Sequence, residues 1–308
     1  MKNMMCMGTN TKLRQGQLWQ MLLVVLFTCL MPQEAWAEDK LETQVVGDKQ
    51  YYVLRSADDW EKFRQLVIDA AGKKDVNAIM DNNISAPKNS CVGMDAYPYN
   101  GTFNGNGHTL TVDVNWGDDA FAAPFPSVGN ATFKNLTIKG KVIGGEHPGG
   151  LVGHAFGTTQ SITLENFISK VSVSGGIHTG GIVGHAQEAK LTVIDVLSIG
   201  SIWSSGTDTY GGSIIGWANN ANDWTFHRVW ESVTFNRTEH CGFCYYYKGE
   251  VKAWGYNNQS SNCISYHSGW GEMKEDCRNK GLDTATEIFN KELPGSWSAY
   301  SFNPIMET

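Results

Sequence analysis

Between Ala131 and Val229, short runs of alternating apolar and polar residues return in a fixed order. Thr132-Phe133-Lys134-Asn135-Leu136 comes back 31 residues later as Thr163-Leu164-Glu165-Asn166-Phe167, then as Thr192-Val193-Ile194-Asp195-Val196 and Thr225-Phe226-His227-Arg228-Val229. A second element, Gly149-Gly150-Leu151-Val152-Gly153-His154, returns after 31 residues as Gly180-Gly181-Ile182-Val183-Gly184-His185. It returns again in degraded form as Gly212-Ser213-Ile214-Ile215-Gly216-Trp217. A third element, Lys141-Val142-Ile143-Gly144, matches Lys170-Val171-Ser172-Val173. Period-two alternation predicts strands with one buried face, and ordered recurrence at one period predicts stacked copies of a single unit.

The unit is too short for a propeller blade, which needs roughly 40 residues, and it lacks the helical periodicity of ankyrin or tetratricopeptide repeats. Each unit holds about three β-runs separated by glycine-rich corners. The expectation is an all-β fold, a right-handed parallel β-helix (solenoid) of roughly 31-residue coils, with Leu151, Ile182 and Ile214 stacked in register inside it.

The flanks read differently. After the β-rich run Tyr51-Tyr52-Val53-Leu54, Ser56 is a helix N-cap with Asp59 as its capping-box partner. Trp60, Phe63, Leu66, Val67 and Ala70 follow at helical spacing, and Gly72 closes the helix. Such a helix suits a cap over the open first coil, whose strand edges would otherwise invite aggregation. Thr102-Phe103-Asn104-Gly105-Asn106-Gly107-His108-Thr109-Leu110-Thr111-Val112 reads as strand, tight turn, strand. Beyond Phe235 the composition shifts to Cys and aromatic residues, and Thr284 with Glu287 caps a short helix. The predicted organisation is a signal peptide over 1–37, an N-terminal cap with helix and first strands over 38–100, β-helix repeats over 101–235, and a last coil with a C-terminal cap over 236–308.

The Gly-Gly-Leu-Val-Gly and Gly-Gly-Ile-Val-Gly motifs, together with the Asn104-Gly105-Asn106-Gly107-His108 element and the lead-in Ser56-Ala57-Asp58-Asp59-Trp60-Glu61-Lys62-Phe63, resemble the GLUG-motif repeat family over about residues 45 to 230. That resemblance implies a right-handed β-helix on secreted or cell-surface proteins of Bacteroidetes type, adhesin-like, with no shared catalytic residues. The chain departs from the pattern at its third repeat and at Pro124-Phe125-Pro126-Ser127-Val128-Gly129, which stands in place of the glycine motif.

Composition changes the picture in three ways. Lys12 and Arg14, the eleven-residue apolar run Met21–Met31 and Ala35-Trp36-Ala37 predict a secretory signal peptide cleaved before Glu38. The apolar run is too short to span a bilayer, so an uncleaved anchor is the weaker alternative. No later segment is apolar enough to span. The net charge of −7 without basic runs argues against nucleic acid as a partner. Of the cysteines beyond the leader, Cys241, Cys244, Cys263 and Cys277 are disulfide candidates in an oxidising compartment, and Cys91 is the odd one. Free thiols and a zinc half-site at Cys241 and Cys244 are the alternatives; no cofactor and no resident metal is expected.

Candidate chemistry is sparse. His147 and His178 lie one period apart, as do His154 and His185, with Trp217 next in the second column. Coil stacking would bring column neighbours to roughly 5 Å, either as copied corner residues or as a metal- or pH-sensitive surface. Glu165 and Asp195 are the acids that could stack on neighbouring coils for glycan cleavage. Trp203, Tyr210, Trp217, Trp224 and Trp230 are candidate binding aromatics, either sugar platforms and interface anchors or fillers of caps and loops. The expected function is non-enzymatic binding of a glycan or surface protein, with a carbohydrate-active enzyme as the alternative.

Overall fold

The computed structural model describes residues 40–205, 211–219, 224–231, 233–235, 251–252 and 255–257. The leader, Tyr210, the four tail cysteines and the Thr284 helix lie outside the described residues. The chain forms a β-solenoid of about six stacked parallel turns.

It begins with an antiparallel pair, β1 (Thr43–Val46) and β2 (Lys49–Leu54), and helix α1 (Ala57–Ala70) follows. Ser56 Oγ accepts from the Asp59 amide at 3.2 Å, and Asp59 accepts from the Arg55 amide at 2.8 Å, so the capping partner reaches one residue further back than a capping box would. The helix ends at Ala71 in the left-handed conformation, one residue before the expected Gly72. Its apolar stripe (Trp60, Phe63, Val67, Ala70) is buried. Trp60 meets Phe103 and Phe125 edge-on at 6.0 and 5.7 Å, and its indole N–H donates to Ser90 Oγ at 2.9 Å. The helix thus fills the aromatic interior where the early coils are short.

Strands β3 (Ala78–Met80), β4 (Ile84–Ser85), β5 (Tyr99–Asn104), β6 (Thr109–Asn115) and the long bent β7 (Phe125–Ile143) continue the stack. They are followed by β8 (Val152–Phe156), β9 (Ser161–Gly175), β10 (Thr179–Gly180), β11 (Val183–Gln187), β12 (Lys190–Ser198) and β13 (Ser201–Ser204). Then come β14 (Gly211–Gly212), β15 (Ile215–Asn219), β16 (Trp224–Glu231) and β17 (Thr234–Phe235). Three parallel faces result. Face 1 stacks β3, β5, residues 131–134, 162–165 and 191–194, and the start of β16. Face 2 stacks β4, β6, residues 137–143 and 168–174, β13 and β17. Face 3 stacks the start of β7, β8, β11 and β15.

Register confirms most of the sequence alignment and corrects part of it. Thr102, Thr132, Thr163, Thr192 and Thr225 form one file across face 1. Val152, Val183 and Ile215 align, as do His154, His185 and Trp217. Leu151, Ile182 and Ile214 are fully buried and joined by backbone hydrogen bonds of 2.8 and 3.1 Å. The segment lacking the glycine motif still occupies that face, with Phe125 opposite Val152 and Ser127 opposite His154. The third element is shifted, however: Lys170 faces Lys139, and Lys141 faces Ser172. The Lys-Val likeness drew the alignment two residues off the 31-residue beat. The stack also starts earlier than the expected repeat region, because β2 and β3 already pair in parallel. The Asn104–Thr109 connection is a corner between faces, since β5 and β6 pair with neighbouring coils and not with each other.

The corners hold a second correction. Left-handed positions fall on Asn106, Asn135, Asn166, Asp195, His147 and His178, with φ between 50 and 55°. Asn, Asp and His tolerate that region better than other side-chain-bearing residues. The motif glycines serve another purpose, because a Cβ at Gly150 would run into the Gly181 carbonyl of the next coil.

Candidate functional site

Two corner columns bring side chains of one chemical type together on successive coils, amides in one and imidazoles in the other. In the first, Asn135 Nδ2 donates to Asn104 Oδ1 at 3.1 Å and Asn166 Nδ2 donates to Asn135 Oδ1 at 2.8 Å. Asp195, 4 % exposed, takes the next place, since its chain neighbours pair with those of Asn166. The amides run along the stack like rungs and satisfy one another. The sequence displayed this column as the recurring fourth position of the Thr-led element, but its role as a ladder needs the left-handed backbone to be seen.

The second column joins the two predicted histidine files. His147 and His178 stack with ring centroids 4.9 Å apart, and His147 lies 4.6 Å from His185. His154 stacks on Phe156 at 4.2 Å, Phe121 closes on His154 at 4.5 Å, and Trp217 lies 4.0 Å from His178. His154 Nε2 donates to Asp95 Oδ1 at 2.7 Å. Both ring nitrogens of His185, which is 8 % exposed, lack a hydrogen-bond partner. Burial first, and then the neighbouring imidazoles, push His147 and His185 down to about 3; burial with His185 pushes His178 down to about 4. Burial also lowers His154, against the opposing pull of Asp95. All four are therefore neutral near pH 7. Among the described residues no group of three or more His, Cys, Asp or Glu side chains is disposed to hold a metal ion.

Trp203 and Trp217, the two predicted aromatics whose side chains the structure describes, lie on different faces. Trp203 projects from β13 on face 2 and is 60 % exposed. Trp217 lies on face 3 and packs into the histidine column. Trp224 and Trp230 stand in β16, opposite Leu191 and Leu197 in register. Beside Trp203, Ser201 Oγ donates to Ser172 Oγ at 2.8 Å along face 2.

The candidate acids are separated by environment. Glu165 is exposed on face 1, opposite Lys134 and Ile194, whereas Asp195 is buried at its corner. Cys91 is a free, buried thiol that burial pushes up to about 12, which suits an inert core residue. No helix among the described residues is long and apolar enough to cross a membrane.

No family model, curated protein or solved structure matches this chain. The functional reading therefore rests on the chain's own residues and on the motif likeness described above.

Proposed function

We propose that this protein is exported and acts as a secreted or cell-surface binding protein of adhesin type. It engages a glycan or a surface protein along the solenoid and performs no catalysis. The observation that carries this reading is Trp203, a large indole left 60 % exposed on a flat parallel face. An indole with one free face is suited to the apolar side of a sugar ring or to the centre of a protein contact. Its backbone is fixed in register opposite Ser174 of the preceding coil. The GLUG-like motifs and the leader pattern support the same assignment.

The reading of the chain as a carbohydrate-active enzyme is the weaker one. Cleavage needs two carboxyl groups across a shared cleft at roughly 5 to 9 Å. Here Glu165 faces solvent while Asp195 is enclosed in the amide column.

A glycan array probed with the full mature chain, followed by assay of bound glycans for reducing-end release, tests the proposal. Binding without release is expected. Release that disappears on Glu165→Gln would replace the binding reading with the enzymatic one. Export is tested by the N-terminal residue of the protein recovered outside the cytoplasm, expected to be Glu38.

A further inference from the structure

Face 2 turns its outward side chains to solvent in three files, and among the described residues only one of them is without ionisable groups. The first file holds Lys139 opposite Lys170, and the second holds Asp113 opposite Lys141, which pair at 3.5 Å. The third runs through Asn115, Ile143, Ser174 and Trp203 on successive coils. The chain neighbours Val114, Val142, Val173 and Ile202 are buried, so alternation turns the whole third file outward. At roughly 4.8 Å per coil, this neutral file is about 14 Å long.

Trp203 ends the file with its indole exposed, and hydroxyl groups flank it on both sides along the strand. Toward the second file, Ser201 Oγ donates to Ser172 Oγ at 2.8 Å, which leaves the Ser172 hydroxyl proton and an acceptor position on Ser201 for a ligand. Toward the corner, Ser205 Oγ donates to the Gly175 carbonyl at 3.3 Å and keeps its own acceptor capacity. Ser172 and Ser205 are exposed, and Ser174 and Ser201 are half-buried.

An indole takes the apolar side of a sugar ring whatever charge the sugar carries, so the groups around it decide the class of chain. A sugar hydroxyl both donates and accepts, which matches this mixture of engaged and available protons. An ionised carboxylate only accepts, and no cation on the third file would offset its loss of water. The charged outward groups of face 2 sit apart: Asp113, Lys139 and Lys141 belong to earlier coils, and Lys170 lies four residues from Ser174 along the strand, roughly 13 Å.

We infer that the third file of face 2 binds a neutral polysaccharide laid along the solenoid axis, with one ring stacked on Trp203 and the adjoining chain over Ser174 and Ile143. This rests on the glycan reading proposed above and narrows it to uncharged chains. The Ser172 and Ser201 hydroxyls hold the edge of the ring beside the indole. Binding of this kind draws little on ion pairs, so salt changes it little.

The experiment measures binding of the full mature chain to immobilised mannan, galactan and dextran, and to polygalacturonate and heparin, at low and high salt. The variants are Trp203→Ala, Trp203→Phe, Ser174→Glu, and Thr163→Ala on face 1 as a control. Thermal unfolding of each variant confirms that it is folded; should Ser174→Glu not fold, Trp203→Ala set against Trp203→Phe decides. The expected result is binding to at least one neutral polymer that salt leaves within about twofold, and weaker binding to both acidic ones. Trp203→Ala and Ser174→Glu should each lose about tenfold or more in affinity, Trp203→Phe less than Trp203→Ala, and Thr163→Ala less than about twofold. Salt-sensitive binding that favours the acidic polymers overturns the neutral-chain inference and leaves the glycan reading standing. Neutral binding that survives Trp203→Ala, or an equal loss in the face 1 control, overturns the inference. Failure of the folded wild-type chain to bind any neutral polymer overturns it too; if the array also shows no glycan bound, the glycan reading fails with it.

Discussion

The two corner columns solve one problem with opposite chemistry. Each must hold a left-handed residue on successive coils, and each places polar side chains where solvent is scarce. The amide column from Asn104 through Asn166 satisfies itself, every carboxamide bridging to the coil beside it at 2.8 to 3.1 Å. The imidazole column stacks rings against Phe121, Phe156 and Trp217 and leaves both nitrogens of His185 without partners. Amides do not titrate, so the rungs from Asn104 through Asn166 hold at any ordinary pH. Imidazoles do, so the second column is stable only while neutral. A solenoid can therefore carry a pH-indifferent spine and an acid-labile one on the same stack.

Acid should separate the columns most strongly. Free imidazole titrates near 6.5, while His147 and His185 are held at about 3 and His178 at about 4. In that window the unfolded chain binds more protons than the folded one, so stability is complete above about pH 6.5 and falls as pH drops toward the folded values. Each histidine contributes a slope of about 1.4 kcal/mol per pH unit. With the rings partly in contact with solvent, a total loss on the order of 4 kcal/mol between pH 6.5 and 4.5 is expected from urea unfolding. Stability that stays flat across this window would remove the distinction between the columns.

Breaking the amide column comes next in size. Asn135→Ala deletes two rungs and leaves alanine at φ 50°, which should cost about 2 to 4 kcal/mol at every pH. The diagnostic is the parallel shift of the whole pH–stability curve; a cost confined to acid would contradict it. A smaller effect is expected for His185→Phe. It replaces unpartnered nitrogens with an apolar ring of similar shape, so stability at pH 7 should change by less than about 1 kcal/mol while the acid slope decreases. An unchanged slope would show that the column does not govern acid lability.

Much of this fold was legible in the sequence because the same interactions repeat on every coil. The Thr-led element kept its register through Thr132, Thr163, Thr192 and Thr225, and the glycine motif placed His154, His185 and Trp217 in one file. What could not be read depends on the cross-section of the coil. His147 and His178 recur at one period and His154 and His185 at the same period, yet their merging into one cluster follows from how the chain turns between faces. The early coils escaped notice because partners there lie 25 to 28 residues apart, as in Ala78 with Phe103 and Thr109 with Thr137, without a shared motif. The aromatic candidates looked alike in sequence, but only the fold separates Trp203, turned to solvent, from Trp217, packed on His178.

That separation gives the most direct test of the proposed binding surface. Affinity for array-selected glycan and thermal stability are measured side by side for Trp203→Ala and Trp217→Ala. Trp203→Ala should lose about tenfold or more in affinity with stability within about 0.5 kcal/mol of wild type. Trp217→Ala should keep its affinity and unfold at lower temperature. If Trp217→Ala instead abolishes binding while Trp203→Ala binds normally, face 2 is not the binding surface and the account is wrong.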